Sequence, residues 1–334
     1  MKKILITGSE GFVGKYLCEE FLSKGYQVIG VDNFSKYGVV SNDHVRHPNF
    51  ELFQHDLLQK PNSKLSLGCE SILDHHFFTA DYIINLAAII GGIRLFHERA
   101  FDLLSHNDRL NANVYELAIR AFKAGNLKKI INVSSSMVFE NVESYPSKES
   151  DVDSCPPPSS TYGFQKLNTE YYAKGAYEQY GLPYTIIRPF NCVGTGEHDY
   201  DTGNSHVLPD LVYKILIEKQ NPLKILGSGD QVRCYTHGKD LARGIRLALE
   251  SEKANQVYNL SIDTPTTVIE LAEEIWRQVN PNKPFRFESA EPLKYDVQRR
   301  VPDTSKAQRE LGFTANISLS ETVSEVIEWV KSKR

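Results

Sequence analysis

The opening of the chain constrains its fold more than any other segment. Lys3 to Ile6 form a short apolar run, followed at once by Thr7-Gly8-Ser9-Glu10-Gly11-Phe12-Val13-Gly14. Tyr16-Leu17-Cys18-Glu19-Glu20-Phe21-Leu22 then carries apolar residues at helical spacing, and Gly25 suits a C-terminal cap. A second apolar run, Val28 to Val31, ends at Asp32. Strand, glycine turn, helix, strand and acid together open a dinucleotide-binding βαβ unit. Gly8, Gly11 and Gly14 are needed because a Cβ would block the tight turn, the approach of backbone to pyrophosphate and the close helix–strand contact. The first helical turn, with Phe12 and Val13, offers free N–H groups and a positive dipole end to the phosphates. Asp32 stands 18 residues past Gly14, close to the spacing of a carboxylate that grips the adenosine ribose. It accepts hydrogen bonds from a 2′-hydroxyl and repels a 2′-phosphate, and the next residues, Asn33, Phe34 and Ser35, include no arginine. NAD is therefore favoured over NADP.

The βα rhythm continues. Phe50 to Phe53 reads as a strand leading to Asp56, and Tyr82 to Leu86 as another running into Ala87 and Ala88. A helix is expected from about Leu103 to Ala124, then a strand from Lys129 to Val133 that ends in three serines. Such alternation predicts an α/β fold: a Rossmann-type, doubly wound parallel sheet with helices on both faces. The NAD-binding part is expected over residues 1–190, with a return segment at about 232–262 that includes the strand-like Val257 to Leu260. Residues 191–334 are expected to form a smaller, interleaved substrate-binding lobe.

The 334 residues are 41% hydrophobic and 24% charged, the balance of a globular chain, with a net charge of −4. A basic excess for nucleic-acid binding is lacking. No apolar run approaches the roughly 20 residues of a membrane-spanning helix. The N-terminal apolar stretch breaks at Gly8, too early for a signal peptide. Cys18, Cys69, Cys155, Cys192 and Cys234 are odd in number and show no paired spacing, which suits a reduced, metal-free, cytoplasmic protein.

Ser134-Ser135-Ser136 closes a strand at its carboxyl end, where doubly wound sheets hold their ligands. Further on, Tyr162 and Lys166 are four residues apart at the start of a helix and share one face. A phenol is a poor base at neutral pH, and an adjacent ammonium favours the phenolate. A serine hydroxyl can bond the same substrate oxygen. Ser135, Tyr162 and Lys166 thus suit proton transfer at an alcohol while bound NAD exchanges hydride. Tyr235 and Lys239 repeat the spacing, so the order of motifs along the chain selects the first pair.

These motifs identify a resemblance. TGSEGFVG, Asp32, Asp56, the Asn85-Leu86-Ala87-Ala88 strand end, Ser135, Tyr162/Lys166 and Arg188-Pro189-Phe190-Asn191 resemble, in order, the extended short-chain dehydrogenases/reductases that act on nucleotide sugars. The likeness extends to Gly227–Arg233 and to Arg299-Arg300-Val301-Pro302-Asp303. It implies that Asp56, beside Leu57, bonds the adenine, and that Ala87 and Ala88 line the cofactor. It also gives Lys166 a second role at the nicotinamide ribose. Asn191 is implied to orient the sugar or its phosphate, and Arg233 and Arg300 to clamp the diphosphate. Asn111, on the long helix, matches a family asparagine near the active site, although helix asparagines are most often exposed. A homodimer is implied, its four-helix bundle built from apolar stripes near Leu103–Ala124 and Ser160–Gln179.

Family members begin by oxidising the sugar at carbon 4 and differ in the later steps. By resemblance, dehydratases and decarboxylases place glutamate two residues after the catalytic serine, and 3,5-epimerases place cysteine there. Here the stretch reads Ser135-Ser136-Met137, and a thioether has no exchangeable proton. This favours a 4-epimerase acting on a nucleotide-diphosphate sugar. Against it, Ala87–Ile93 and Gly203-Asn204-Ser205-His206-Val207-Leu208-Pro209 resemble the GDP-sugar branch, in which the histidine matching His206 is a base. Cys192 is a candidate for the missing acid. A GDP-sugar 3,5-epimerase, a 4,6-dehydratase-type enzyme, a net 4-dehydrogenase/reductase and a non-catalytic NAD-sensing protein are the alternatives.

Overall fold

The computed structural model describes residues 1–59, 72–202, 205–292 and 297–333. Cys69, Gly203 and Asn204 lie outside them. The chain begins with β1 (Lys3–Thr7), α1 (Phe12–Ser23), β2 (Gln27–Asp32) and β3 (Phe50–Gln54). Next in order are α2 (Ile72–Thr79), β4 (Tyr82–Asn85), α3 (Ile93–Glu98), α4 (Ala100–Lys123) and β5 (Lys129–Val133). Beyond these come α5 (Thr161–Tyr180), β6 (Tyr184–Pro189), β7 (Cys192–Val193) and α6 (Val207–Val212). The remainder contains β8 (Leu223–Leu226), β9 (Val232–Arg233), β10 (Thr236–His237), α7 (Gly238–Glu250) and β11 (Gln256–Leu260). It ends with β12 (Thr266–Thr267), α8 (Val268–Val279), β13 (Phe287–Ala290), α9 (Ser305–Leu311) and α10 (Leu319–Ser332).

Seven strands form one parallel sheet in the order β3-β2-β1-β4-β5-β6-β11. The run from β3 to β6 is the dinucleotide-binding order, with its reversal between β1 and β4. β11 is the returning strand read from Val257 to Leu260. Both sheet faces are covered, which is why β1 is a continuous apolar run rather than an alternating one. Ile4 and Ile6 face a layer built with Leu17, Phe21, Leu241 and Ile245, whereas Leu5 faces Val114, Leu117 and Ala118. A separate core, with Val193, Leu208, Leu271, Trp276, Val326 and Ile327, lies in the second half of the chain.

α5 departs from the expected apolar stripe. Its buried face carries Tyr162, Gln165, Lys166, Thr169 and Glu170, joined by Ala173 and Ala176, while Phe164 and Tyr171 are exposed. Most of these polar groups are tolerated because they are bonded in place. Arg188 of β6 donates from Nε to Glu170 Oε1 at 2.9 Å and from Nη2 to Oε2 at 2.7 Å. The two side chains are 1% and 0% exposed. Ser134 Oγ donates to Glu170 Oε1 at 2.7 Å, which ties the tip of β5 to the same carboxylate. Ser160 caps α5 by accepting from the Gly163 N–H at 3.0 Å, and Gly181 ends it in the left-handed conformation at φ 76°.

The second Tyr-x-x-x-Lys pair is not on one helix. Tyr235 is buried before β10, and Lys239 lies in the first turn of α7, bonded to Glu325. Removing one partner of the Arg188–Glu170 pair leaves an uncompensated buried charge. Glu170→Ala is therefore expected to cost about 3–5 kcal/mol of stability in urea unfolding; a loss below about 1 kcal/mol would show that the pair does not hold α5.

Candidate active site

The turn between β1 and α1 lies at the point where the strand order reverses. Thr7 Oγ1 accepts the N–H groups of Leu86 and Ala87, each at 3.0 Å, and so binds the end of β4 to the end of β1. Gly8 has φ +74°, and a Cβ there would lie 3.0 Å from Ala87 Cα. A Cβ on Gly14 would come within 2.1 Å of the Gly8 carbonyl oxygen. The expected roles of these glycines therefore have a steric basis. No side chain caps α1, so the N–H groups of its first turn, at Phe12 and Val13, are left to a ligand. The adjacent Glu10 carboxylate is drawn aside by Asn42 Nδ2 at 2.8 Å and His44 Nε2 at 3.0 Å. Burial opposes its charge, but these bonds prevail and hold its pKa below the usual carboxylate value.

Asp32 ends β2 beside this turn. Its Oδ2 accepts the Glu10 N–H at 3.0 Å and its Oδ1 the Phe34 N–H at 2.8 Å, which fixes the carboxylate's position. Burial raises its pKa against those bonds. Asn33 is exposed and bonds the Ser35 N–H. Asp56 accepts from the Leu58 N–H at 3.0 Å, and Leu57 is buried with its carbonyl held by Asn113 Nδ2 at 2.7 Å. A glycine cradle, an uncapped helix start and an anchored acid fit NAD. When bound, NAD supplies a hydride acceptor that can return what it takes.

The reacting groups meet where β5 ends. A tight 3-10 turn, Ser136–Phe139, packs on α5 because Gly163 has no side chain; a Cβ there would lie 2.8 Å from the Met137 carbonyl oxygen. Ser135 thereby comes beside Tyr162, where its hydroxyl favours the phenolate. Lys166 is buried and donates from Nζ to the Val133 carbonyl at 3.1 Å. Burial, partly offset by Ser135 and Arg300, pushes Tyr162 up to about 12, and burial alone pushes Lys166 down to about 8. The expected lowering of the phenol by its lysine neighbour is thus not found. Desolvation outweighs charge, and the nearby cation that favours the phenolate is Arg300.

The substrate side is assembled from distant segments. Arg300 Nη1 lies 3.2 Å from Met137 Sδ and 3.5 Å from Ser136 Oγ, at the reacting end of the site. Arg233 is buried in β9, and the Arg300 N–H bonds the Val232 carbonyl at 3.0 Å, so both arginines come from adjacent strand segments. Asn191 has φ +36° and a buried Oδ1 with no hydrogen-bond partner. The segment after β7 is tied to α1 through the Thr195 N–H and Tyr16 Oη at 2.8 Å, and to the loop after β2 through Lys36 and Asp199 at 2.7 Å. At its end, His206 Nδ1 lies 2.7 Å from Glu197 Oε2, with Val207 half-buried beside it. Burial disfavours the charged ring, but Glu197 more than offsets this and raises the His206 pKa. Burial, reinforced by Glu197, raises the Cys192 thiol, which makes it a poor replacement acid.

Asn111 is buried rather than exposed, accepts from Asn85 at 2.7 Å and donates to the Asn107 carbonyl; Asn107 in turn bonds both backbone groups of Ile89. Their spacing of four residues on α4 was the readable clue. Phe96, on the short α3, stacks directly on Tyr162 and follows no periodic pattern.

Fold and site define an NAD-binding α/β enzyme in which a serine, a tyrosine and a lysine gather where β5 ends. The model of the NAD dependent epimerase/dehydratase family matches residues 4–261. The chain belongs to this family, and its cofactor is NAD. The UDP-N-acetyl-alpha-D-glucosaminuronate decarboxylase of Bacillus cytotoxicus is 27% identical over 338 residues, covering 99% of this chain and 98% of that protein. The UDP-glucose 4-epimerase structure from Thermotoga maritima superposes with TM-score 0.82 at 26% identity, covering 99% of each chain. The UDP-N-acetylglucosamine 4-epimerase of Methanobrevibacter ruminantium gives 0.83 at 25%, covering 100% of this chain and 99% of the other. Among the described residues no helix is long and apolar enough to cross a membrane.

Asp32→Ser should weaken NAD about tenfold or more while admitting NADP, measured by cofactor titration. Unchanged affinity and selectivity would remove Asp32 from the ribose site.

Proposed function

We propose that the protein is an NAD-dependent nucleotide-sugar 4-epimerase. Tyr162, beside Ser135, takes the proton of the carbon-4 hydroxyl as hydride leaves for the bound cofactor, and returns it after the ketone has turned. Lys166 holds the nicotinamide ribose. One observation carries the choice: next to this hydroxyl pair the position that could hold a further acid is Met137, buried and unable to give or take a proton. Removal of water or carbon dioxide therefore has no evident proton donor there. The similarity to two solved UDP-sugar 4-epimerases supports the same reading.

Arg300 favours a second reading of the substrate, within this chemistry or as a decarboxylase. A guanidinium at Ser136 and Met137 suits a sugar carrying a carboxylate at carbon 5, as in the substrate named for the Bacillus cytotoxicus relative. Asn191, His206 and Arg233 are assigned to the sugar and diphosphate. Residues 1–190 with 232–262 form the cofactor part, and residues 191–334 the substrate lobe. Exposed Phe101 of α4 with Phe164 and Tyr171 of α5 supports a homodimer through this helix pair. Cys18, Cys155, Cys192 and Cys234, all unpaired, support a cytoplasmic setting.

Incubation with UDP-, GDP-, CDP- and dTDP-sugars, neutral and uronic, should yield a product inverted only at carbon 4 by NMR, from a protein that scatters light as a dimer. Tyr162→Phe should lower turnover by about 100-fold or more while NAD stays bound. Loss of water, loss of carbon dioxide or inversion at carbons 3 and 5 would overturn the epimerase reading.

A further inference from the structure

The least expected contact of the site is aromatic. Phe96 lies on the six-residue α3, next to Gly91-Gly92, and its ring sits flat on the Tyr162 ring, with centroids 4.2 Å apart and planes 11° from parallel. Tyr162 is thereby covered on one ring face, and only 4% of the residue remains exposed. Ser135 is the hydroxyl that favours its ionisation. The ring face of an aromatic carries negative charge density, so a stacked phenyl excludes water without solvating an anion. It therefore disfavours the phenolate twice over.

We infer that Phe96 is a positioning residue for the proton transfer. Its ring fixes the plane of Tyr162 and keeps the phenol dry and protonated until ligands bring charge to it. This rests on the reading of Tyr162 as the proton-transfer group. The groups that could otherwise set this behaviour are Ser135, at the end of β5, Arg300 of the neighbouring segment, and Lys166 on α5 itself. Lys166 is bonded to the Val133 carbonyl, and Arg94 and Glu98 of α3 pair with one another at 2.8 Å at the surface. The rise of Tyr162 to about 12, with burial as its main cause, agrees with a seal of this kind.

The test is carbon NMR of the NAD-loaded protein labelled at tyrosine Cζ, the Tyr162 signal being the one lost in Tyr162→Phe. Phe96→Ala should lower the Tyr162 titration midpoint by about one pH unit, and Phe96→Leu, which keeps apolar bulk without the flat ring, by less. In the pH dependence of turnover, Phe96→Ala should move the acid limb to lower pH and reduce kcat about tenfold, with KM little changed. An unchanged or raised midpoint in Phe96→Ala, with NAD retained, overturns the inference. So does a rise in KM without a change in the kcat profile, which would make Phe96 a wall of the sugar pocket. The titration reads Tyr162 whatever the sugar panel yields, so failure of the epimerase reading is separable from failure here.

Discussion

The site depends on the buried ion pair between Arg188 and Glu170. Its two parallel hydrogen bonds fix where α5 sits against β6, and Ser134 draws the end of β5 to the same carboxylate. Tyr162, Lys166 and Glu170 succeed one another at four-residue intervals along one helix face. Two turns of helix therefore carry the anchor, the cation and the phenol in a row. Stability alone would be served as well by apolar side chains of equal volume. The pair instead gives the helix one seating, and with it one distance from the phenol to the serine at the strand tip.

How legible this was in the sequence varied with the physics of each segment. β1, α1 and β2 were readable because each requirement there is local: apolar residues for buried strands, glycine where backbones nearly touch, an acid at the strand end. The returning strand β11 was likewise visible as Val257 to Leu260, where Val257 and Tyr258 favour an extended strand. α5 was readable in position but not in character. Its inner face is polar, and whether such groups are bonded or wet depends on β5 and β6, which periodicity along α5 cannot report. The same holds for Asn111, whose burial depends on Asn85 across the sheet edge. Phe96 lies on a helix too short to show any period, and its contact with Tyr162 spans 66 residues of chain.

The chemistry of the site reflects a contest between charge and desolvation. A lysine four residues from a tyrosine suggests a lowered phenol, yet in the folded chain both groups are buried and both move toward their neutral forms. With the phenol raised to about 12 and the amine lowered to about 8, Tyr162 rests protonated at neutral pH while Lys166 keeps most of its charge. In the proposed epimerase reaction Met137 has no proton to offer, so the ketone would return to the alcohol.

In the proposed epimerase reaction hydride leaves and re-enters carbon 4 of one sugar while Tyr162 handles the proton. A nucleotide sugar that the protein converts, carrying deuterium at carbon 4, tests this. The label should stay at carbon 4 of the inverted product, with no deuterium drawn from heavy water at carbons 3 or 5. Label lost to solvent or to added cofactor, or solvent deuterium gained at carbon 3 or 5, would contradict it.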